Sequence, residues 1–69
     1  MKISYKKLWK LLIDKGMKKI DLLEKANIST STLAKFGKDE YVSMEALVKV
    51  CIALEVNIGD IVDLVKEDT

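Results

Sequence analysis

Four hydroxyl side chains stand in succession near the middle of the chain: Ser29, Thr30, Ser31 and Thr32. Lys35 follows Ser31 after one helical turn. Hydroxyl residues are tolerated where a helix starts, because they bond free backbone N–H groups, and this accounts for Ser29 and one neighbour. Four in a row favour an exposed surface that forms hydrogen bonds to a partner. At the N-terminus of a helix in the major groove of DNA, small polar side chains can reach base edges.

Lysines surround this run of hydroxyls. Lys18 and Lys19 open the preceding helix, whose free N–H groups and dipole already favour an anion. Lys38 follows the hydroxyl-bearing helix. We therefore expect Lys18, Lys19, Lys38 and the capping Ser29 to hold DNA phosphates. Lys35 can reach a guanine edge or a phosphate.

Charge is distributed unevenly along the 69 residues, although the net charge is only +1. Residues 1–38 hold ten lysines and three acidic residues, a net charge of +7. Residues 39–69 hold two lysines and eight acidic residues, a net charge of −6. A basic half beside an acidic half suggests one face directed at a polyanion. The alternative is that the lysines only solvate the helices.

The composition argues against catalysis. The chain has no histidine, which excludes histidine-based zinc sites and acid–base chemistry centred on histidine. The hydroxyls lack a histidine partner, Cys51 lacks a base, and there is no glycine-rich phosphate loop. Because Cys51 is the only cysteine and lies in an apolar stretch, we expect a small buried hydrophobe in preference to a reactive thiol. We expect no enzyme, no cofactor and no metal.

Apolar residues recur every three to four positions throughout the chain, which is helical spacing. With 69 residues the chain is one domain, and the pattern predicts a compact all-α fold of five helices over residues 1–69. The first four are expected at about 4–15, 18–26, 30–36 and 44–54, and the fifth from residue 57.

Local signals mark where these helices begin and end. Serines are predicted as N-caps of the first, third and fourth helices: Ser4, Ser29 and Ser43. Gly16 is placed to end the first helix. Asp60 is expected to form a capping pair with Asn57 at the start of the fifth. The fifth helix is expected to bury Ile58, Ile61 and either Leu64 or Val65.

The second and third helices are separated by a turn that is too short for anything but a sharp corner. Asn27 stands where the chain must turn, and asparagine tolerates the left-handed conformation better than most residues. Ile28 can then return to the core. We expect buried contacts to make the pair rigid, so that the second helix supports the third and leaves its outer face exposed. The residues expected to supply these contacts are Leu22, Ala26, Ile28, Leu33 and Phe36.

This segment, about residues 18–37, resembles the helix-turn-helix of the Cro and phage-repressor class of bacterial regulators, especially its small single-domain members. The resemblance covers residues 3–65 and implies a lambda repressor-like DNA-binding fold. It places the base-reading residues at Thr30, Ser31, Thr32 and Lys35. It also places Lys19 where the family commonly has a glutamine that holds a phosphate.

Three positions depart from the family pattern. Leu23 replaces a small residue early in the second helix, so we expect slightly wider helix spacing. Leu12 and Gly37 replace an arginine and a glutamate that often pair, which indicates that apolar packing takes the place of a polar clamp. Because the chain contains no arginine, the strongest bidentate guanine reader is absent and base recognition through Lys35 should be softer.

These features predict a sequence-specific DNA-binding transcriptional regulator that reads double-stranded DNA as a homodimer joined through its C-terminal half. The alternative is a protein-interaction module, antitoxin-like or an adaptor, that keeps the fold; it is motivated by the acidic half and by apolar residues such as Val56 and Val62. No apolar run approaches the roughly 20 residues of a membrane span, so cytoplasmic residence is expected. No small-molecule effector site is evident.

Overall fold

A computed structural model of the chain describes residues 1–66. Its elements are β1 (Lys2–Ser4), α1 (Lys6–Asp14), α2 (Lys19–Ala26), α3 (Thr30–Gly37), α4 (Met44–Leu54), a 3₁₀ turn (Ile58–Asp60) and β2 (Asp63–Val65). The last three residues of the expected domain lie outside the described range. No helix within residues 1–66 is long and apolar enough to cross a membrane.

Two of the three expected serine caps are confirmed. Ser29 Oγ and Ser43 Oγ each accept the backbone N–H three residues later, at 3.2 and 3.1 Å. Each hydroxyl thereby satisfies a donor that has no partner within its helix. The expectation for Ser4 is wrong, because Ser4 ends β1 and Tyr5 is the N-cap of α1. Strand pairing holds this residue in extended backbone, so α1 begins later than predicted.

Each of the four helices is followed by a residue with left-handed backbone: Gly16 (φ 67°), Asn27 (54°), Asp39 (56°) and Glu55 (57°). In every case the next N–H donates to the carbonyl five residues back, which satisfies an unpaired carbonyl at the helix end. The expectation for Asn27 is confirmed. The left-handed turn there lets α3 begin at Thr30, directly after the Ser29 cap.

The compact, mostly helical fold is confirmed, but the fifth helix is wrong and the fold is not purely all-α, because residues 1–66 form four helices and a small two-stranded sheet. After Asn57 the chain makes only one 3₁₀ turn and then enters β2, which pairs antiparallel with β1. The contact between Asn57 and Asp60 is nevertheless present, because the Asn57 N–H donates to the Asp60 carboxylate at 3.0 Å. Ile61 is buried as expected, whereas Ile58 and Leu64 are 38% and 61% exposed and Val65 is half-buried.

Strand pairing between residues distant in sequence explains why residues 63–65 are extended. Residues 2–4 form a strand whose backbone groups need partners, and the register that pairs Ile3 with Leu64 supplies them. Val62 precedes β2 and Val65 ends it, and both are β-branched residues that favour extended backbone. Pairing across the two ends of the chain therefore outweighs the helical spacing that the C-terminal residues show on their own.

The core draws on all four helices and on the segment before β2. Its buried side chains are Tyr5, Leu8, Leu12, Leu22, Ala26, Ile28, Phe36, Leu47, Val50, Cys51, Leu54 and Ile61. Leu12, which stands where the family often has an arginine, is 3% exposed, so apolar packing does occupy that position. Leu33 was expected to be buried and is only partly so.

Tyr5 connects the start of α1 to the end of α3. Its ring meets Phe36 edge to face, with centroids 4.7 Å apart. Its hydroxyl donates to the Glu40 carbonyl at 2.7 Å, and its backbone N–H donates to the Asp39 carboxylate at 3.1 Å. Burial raises the pKa of the phenol above its ordinary value, and Asp39 raises it further.

Tyr5→Phe is expected to lower the free energy of unfolding by about 1 kcal/mol at pH 7, because the ring packing stays while the Glu40 carbonyl loses its donor. The folded-state pKa of Tyr5 is raised, so the phenol's contribution is complete below its unfolded pKa and is lost as pH rises through the folded value. The difference between the two proteins should therefore shrink above about pH 10.

Urea denaturation at neutral and alkaline pH measures this difference. Tyr41→Phe is the matched control, because Tyr41 is 77% exposed and its loss should change little. A Tyr5→Phe protein as stable as the wild type at pH 7 would contradict the assignment of this hydrogen bond.

Candidate nucleic-acid interface

Helices α2 and α3 are joined by the three residues 27–29 and held by a shared buried surface. Leu22 and Ala26 are buried on α2, Phe36 is buried on α3, and Ile28 is buried in the turn between them. An isolated helix of eight residues is not stable in water, so α3 depends on these contacts. The pair is therefore one rigid unit whose second helix keeps an exposed side.

A cluster of hydroxyls lies at the start of α3. Ser29 Oγ is 3.0 Å from Ser31 Oγ and 2.9 Å from Thr32 Oγ1, in addition to accepting the Thr32 N–H. The four hydroxyl residues thus do not act alike, because Ser29 is occupied by capping. A hydroxyl oxygen has two acceptor positions and one proton, so this cluster still has hydrogen-bonding capacity toward solvent.

The base-reading candidates occupy two sides of α3. Thr30, Ser31 and Lys35 are exposed, with Ser31 and Lys35 one turn apart on the outer face. Thr32 is half-buried and lines a groove of about 360 Å³ with Ser43 and Lys49. The structure brings Ser31 and Lys35 onto one exposed surface and turns Thr32 toward the start of α4.

Lys35 lines a different groove, of about 470 Å³, on the side of α3 that faces the N-terminus of the chain. Lys2 and Tyr41 share this groove with it. Asp39 and Glu40 also line it, so a cation at Lys35 has acidic neighbours as well as a basic one.

The phosphate-binding candidates are all exposed but stand in different settings. The backbone N–H of Lys18 donates to the Asp21 carboxylate at 2.8 Å, so the start of α2 already has an anion beside it. The Lys19 ammonium lies 4.5 Å from the centre of the Trp9 ring, a cation–π contact. Lys38 is the C-cap of α3, at the opposite end of that helix from Ser29.

Sequence reasoning missed several of these neighbours. Lys2 and Tyr41 approach Lys35, and Lys49 approaches Thr32, only because segments distant in sequence pack together. No local pattern marks such contacts. The Trp9–Lys19 contact joins α1 to α2 in the same way. Here a local signal exists, because a tryptophan among lysines could have predicted a cation–π contact.

Cys51 is buried, as expected. Burial raises the pKa of its thiol, and the Asp60 carboxylate raises it further, so the reactive thiolate is disfavoured. Within residues 1–66, no group of three or more cysteine, aspartate and glutamate side chains is placed to hold a metal ion.

A braced helix pair with a sharp left-handed turn, and an exposed polar face on its second helix, defines a helix-turn-helix DNA-binding domain. The chain matches the family model of the Cro/C1-type HTH DNA-binding domain over residues 7–67, and it belongs to that family. This confirms the resemblance found in the sequence. The chain is a DNA-binding regulator of transcription.

A solved structure supports the same assignment. The crystal structure of the transcriptional regulator VanUg, form II, aligns with a TM-score of 0.91 and 48% sequence identity. The alignment covers 96% of this chain and 88% of that chain. No curated protein matches the chain in sequence.

Ser29→Ala is expected to lower the free energy of unfolding by about 1 kcal/mol, because the Thr32 N–H loses its acceptor. Ser29→Asp keeps an acceptor and should restore most of that loss. Thermal or urea denaturation of the three proteins measures the effect. Equal stability of Ser29→Ala and the wild type would show that the cap contributes nothing to α3.

Proposed function

We propose that α3 lies in the major groove of double-stranded DNA, with Thr30, Ser31, Thr32 and Lys35 as the base-reading residues. In this arrangement Lys18, Lys19, Ser29 and Lys38 contact phosphates on either side of the groove. The functional unit is a homodimer joined through the C-terminal half, which reads two half-sites about one helical turn apart. No effector, cofactor or membrane takes part in this proposal.

The observation that carries the proposal is the exposure of Ser31 and Lys35 on the outer face of a helix that the core fixes in place. Threonine methyls can pack on thymine methyls, and hydroxyls can accept from or donate to base edges. Lys35 is the one cation within α3 and can contact a guanine edge. Since lysine is not bidentate, we expect recognition to rely on several modest contacts and not on one dominant base pair.

The phosphate contacts have separate physical roles. Ser29 Oγ accepts the Thr32 N–H, but the hydroxyl can still donate its own proton to a phosphate oxygen. Lys19 is held over the Trp9 ring, which orders its side chain without neutralising its charge. A phosphate beside Lys19 would change the surroundings of the only tryptophan, so its fluorescence should report binding.

Selection from a random duplex library at two salt concentrations tests the proposal directly. The expected result is a recovered site with two related halves, and an affinity that falls steeply as salt rises. Recovery of no preferred sequence, with binding that is independent of salt, would contradict it.

Lys19→Ala is expected to reduce the slope of log affinity against log salt by about one and to weaken binding to all sequences alike. Lys66→Ala removes the same charge from the acidic half of the chain and is the matched control. Titration of labelled duplex at several salt concentrations gives both slopes. Equal slopes for Lys19→Ala and the wild type would remove Lys19 from the phosphate-binding set.

Ser31→Ala, Thr32→Ala and Lys35→Ala are expected to change preference at particular base pairs, by about 1–3 kcal/mol where a contact is lost. Competition between the selected site and its single-base variants measures each change. Because Thr32 is half-buried, its variant also needs a denaturation measurement. If all three variants bound DNA like the wild type and lost binding to a protein instead, the protein-interaction function would replace this one.

A further inference from the structure

The side chain of Trp9 connects α1 to the start of α2. It is half-buried and packs against the hydrophobic core. The Lys19 ammonium, on the first residue of α2, lies 4.5 Å from the centre of its ring. An indole has only two side-chain torsions, and core packing restricts both of them. The ring therefore offers a fixed surface to the long and flexible lysine side chain.

Lys19 differs in this respect from the other lysines of the phosphate-binding set. Within residues 1–66 its ammonium has a cation–π contact and no carboxylate partner, because the ion pair found there joins Lys49 to Glu45. Lys18 and Lys38 have neither kind of contact in that part of the chain. A carboxylate would compete with a phosphate for the ammonium, whereas the ring carries no net charge. Lys19 is thus ordered and keeps its full charge.

The contact leaves the ammonium open to an anion. An ammonium has three N–H donors, and those directed away from the ring face solvent, because Lys19 is exposed. On its other side the indole excludes water, which strengthens the attraction to an anion on the open side. The Lys18 N–H already donates to the Asp21 carboxylate at 2.8 Å. An anion at this end of α2 therefore relies on the Lys19 side chain more than on the helix backbone.

We propose that Trp9 is a positioning residue for DNA binding. It orders the Lys19 ammonium in the free protein, so that a backbone phosphate meets a cation that is already in place and loses less side-chain entropy on binding. The proposal rests on the proposed function, in which Lys19 contacts a phosphate. It extends that function to α1, which supplies no other residue to the DNA-binding set.

The first test changes the ring without changing the charge. Trp9→Leu keeps an apolar side chain and should weaken binding to the duplex recovered by selection about three- to tenfold, because Lys19 is then immobilised only on binding. Trp9→Phe keeps an aromatic face and should bind closer to the wild type. Titrations at several salt concentrations should show a parallel loss for Trp9→Leu, whereas Lys19→Ala lowers the slope.

The second test measures the coupling between the two side chains. In a Lys19→Ala background, Trp9→Leu should cause no further loss of affinity, because the group that it positions is gone. Lys18→Ala is the matched control, and its effect should add to that of Trp9→Leu. A purely structural role of Trp9 would weaken binding equally in all backgrounds. Urea denaturation checks that each variant is folded under the conditions of the titration.

The free protein provides a third test, which needs no DNA. The ring current of the indole should shift the NMR signals of the Lys19 ε-methylene protons upfield in the wild type. Trp9→Leu should return these signals to the positions that are usual for lysine. Ordinary positions in the wild type would contradict the ordered contact.

Three results of the binding tests would overturn the proposal: equal losses with and without Lys19, a Trp9→Phe protein no better than Trp9→Leu, or a Trp9→Leu protein that binds as tightly as the wild type or more tightly. Tighter binding would mean that the ring competes with the phosphate for the ammonium. If Lys19→Ala leaves the salt slope unchanged, the phosphate contact of the proposed function fails, and this proposal falls with it. A normal effect of Lys19→Ala without coupling to Trp9 overturns this proposal alone.

Discussion

The contacts of Tyr5 determine where α3 stands. Its ring, hydroxyl and backbone N–H meet Phe36, Glu40 and Asp39, which are the last inward residue of α3 and the turn that follows it. A helix of eight residues with one side in solvent gains little from its own hydrogen bonds, so its position comes from packing. Because Tyr5 directly follows β1, the pairing of β1 with β2 also bears on α3. The paired strands β1 and β2 thus help to fix α3.

In the proposed function, the start of α3 serves both stability and recognition with the same kind of side chain. Ser29 caps the helix, and Ser31 and Thr32 hydrogen-bond to it, so these hydroxyls are ordered before any partner arrives. Order of this kind lowers the entropy lost on binding, at the cost of leaving fewer free donors. Ser31 and Lys35 lie on the exposed outer face, whereas the Ser29 hydroxyl is occupied by capping. We therefore expect specificity to depend more on these two than on Ser29.

Local signals in the sequence were sufficient for part of this structure. The bounds of α4, the caps Ser29 and Ser43, and the left-handed Asn27 each follow from residues within one or two turns of the feature. The strand β2 does not, because its helical spacing is overridden by pairing with residues some sixty positions away. For the same reason, no local sequence pattern predicts that Lys2 lies beside Lys35 or that Lys49 lies beside Thr32. The residue types of the site were predictable, and their grouping was not.

The fold places the basic half and the acidic half of the sequence in different elements. The lysine-rich residues 1–38 contain α2 and α3, whereas the acidic residues 39–69 contain α4, the 3₁₀ turn and β2. DNA phosphates attract the first group and repel the second, which favours the approach by α3 that we propose over an approach by the end of α4. The groove between α4 and the 3₁₀ turn, which Glu55 and Asp60 help to line, is thereby kept from the polyanion.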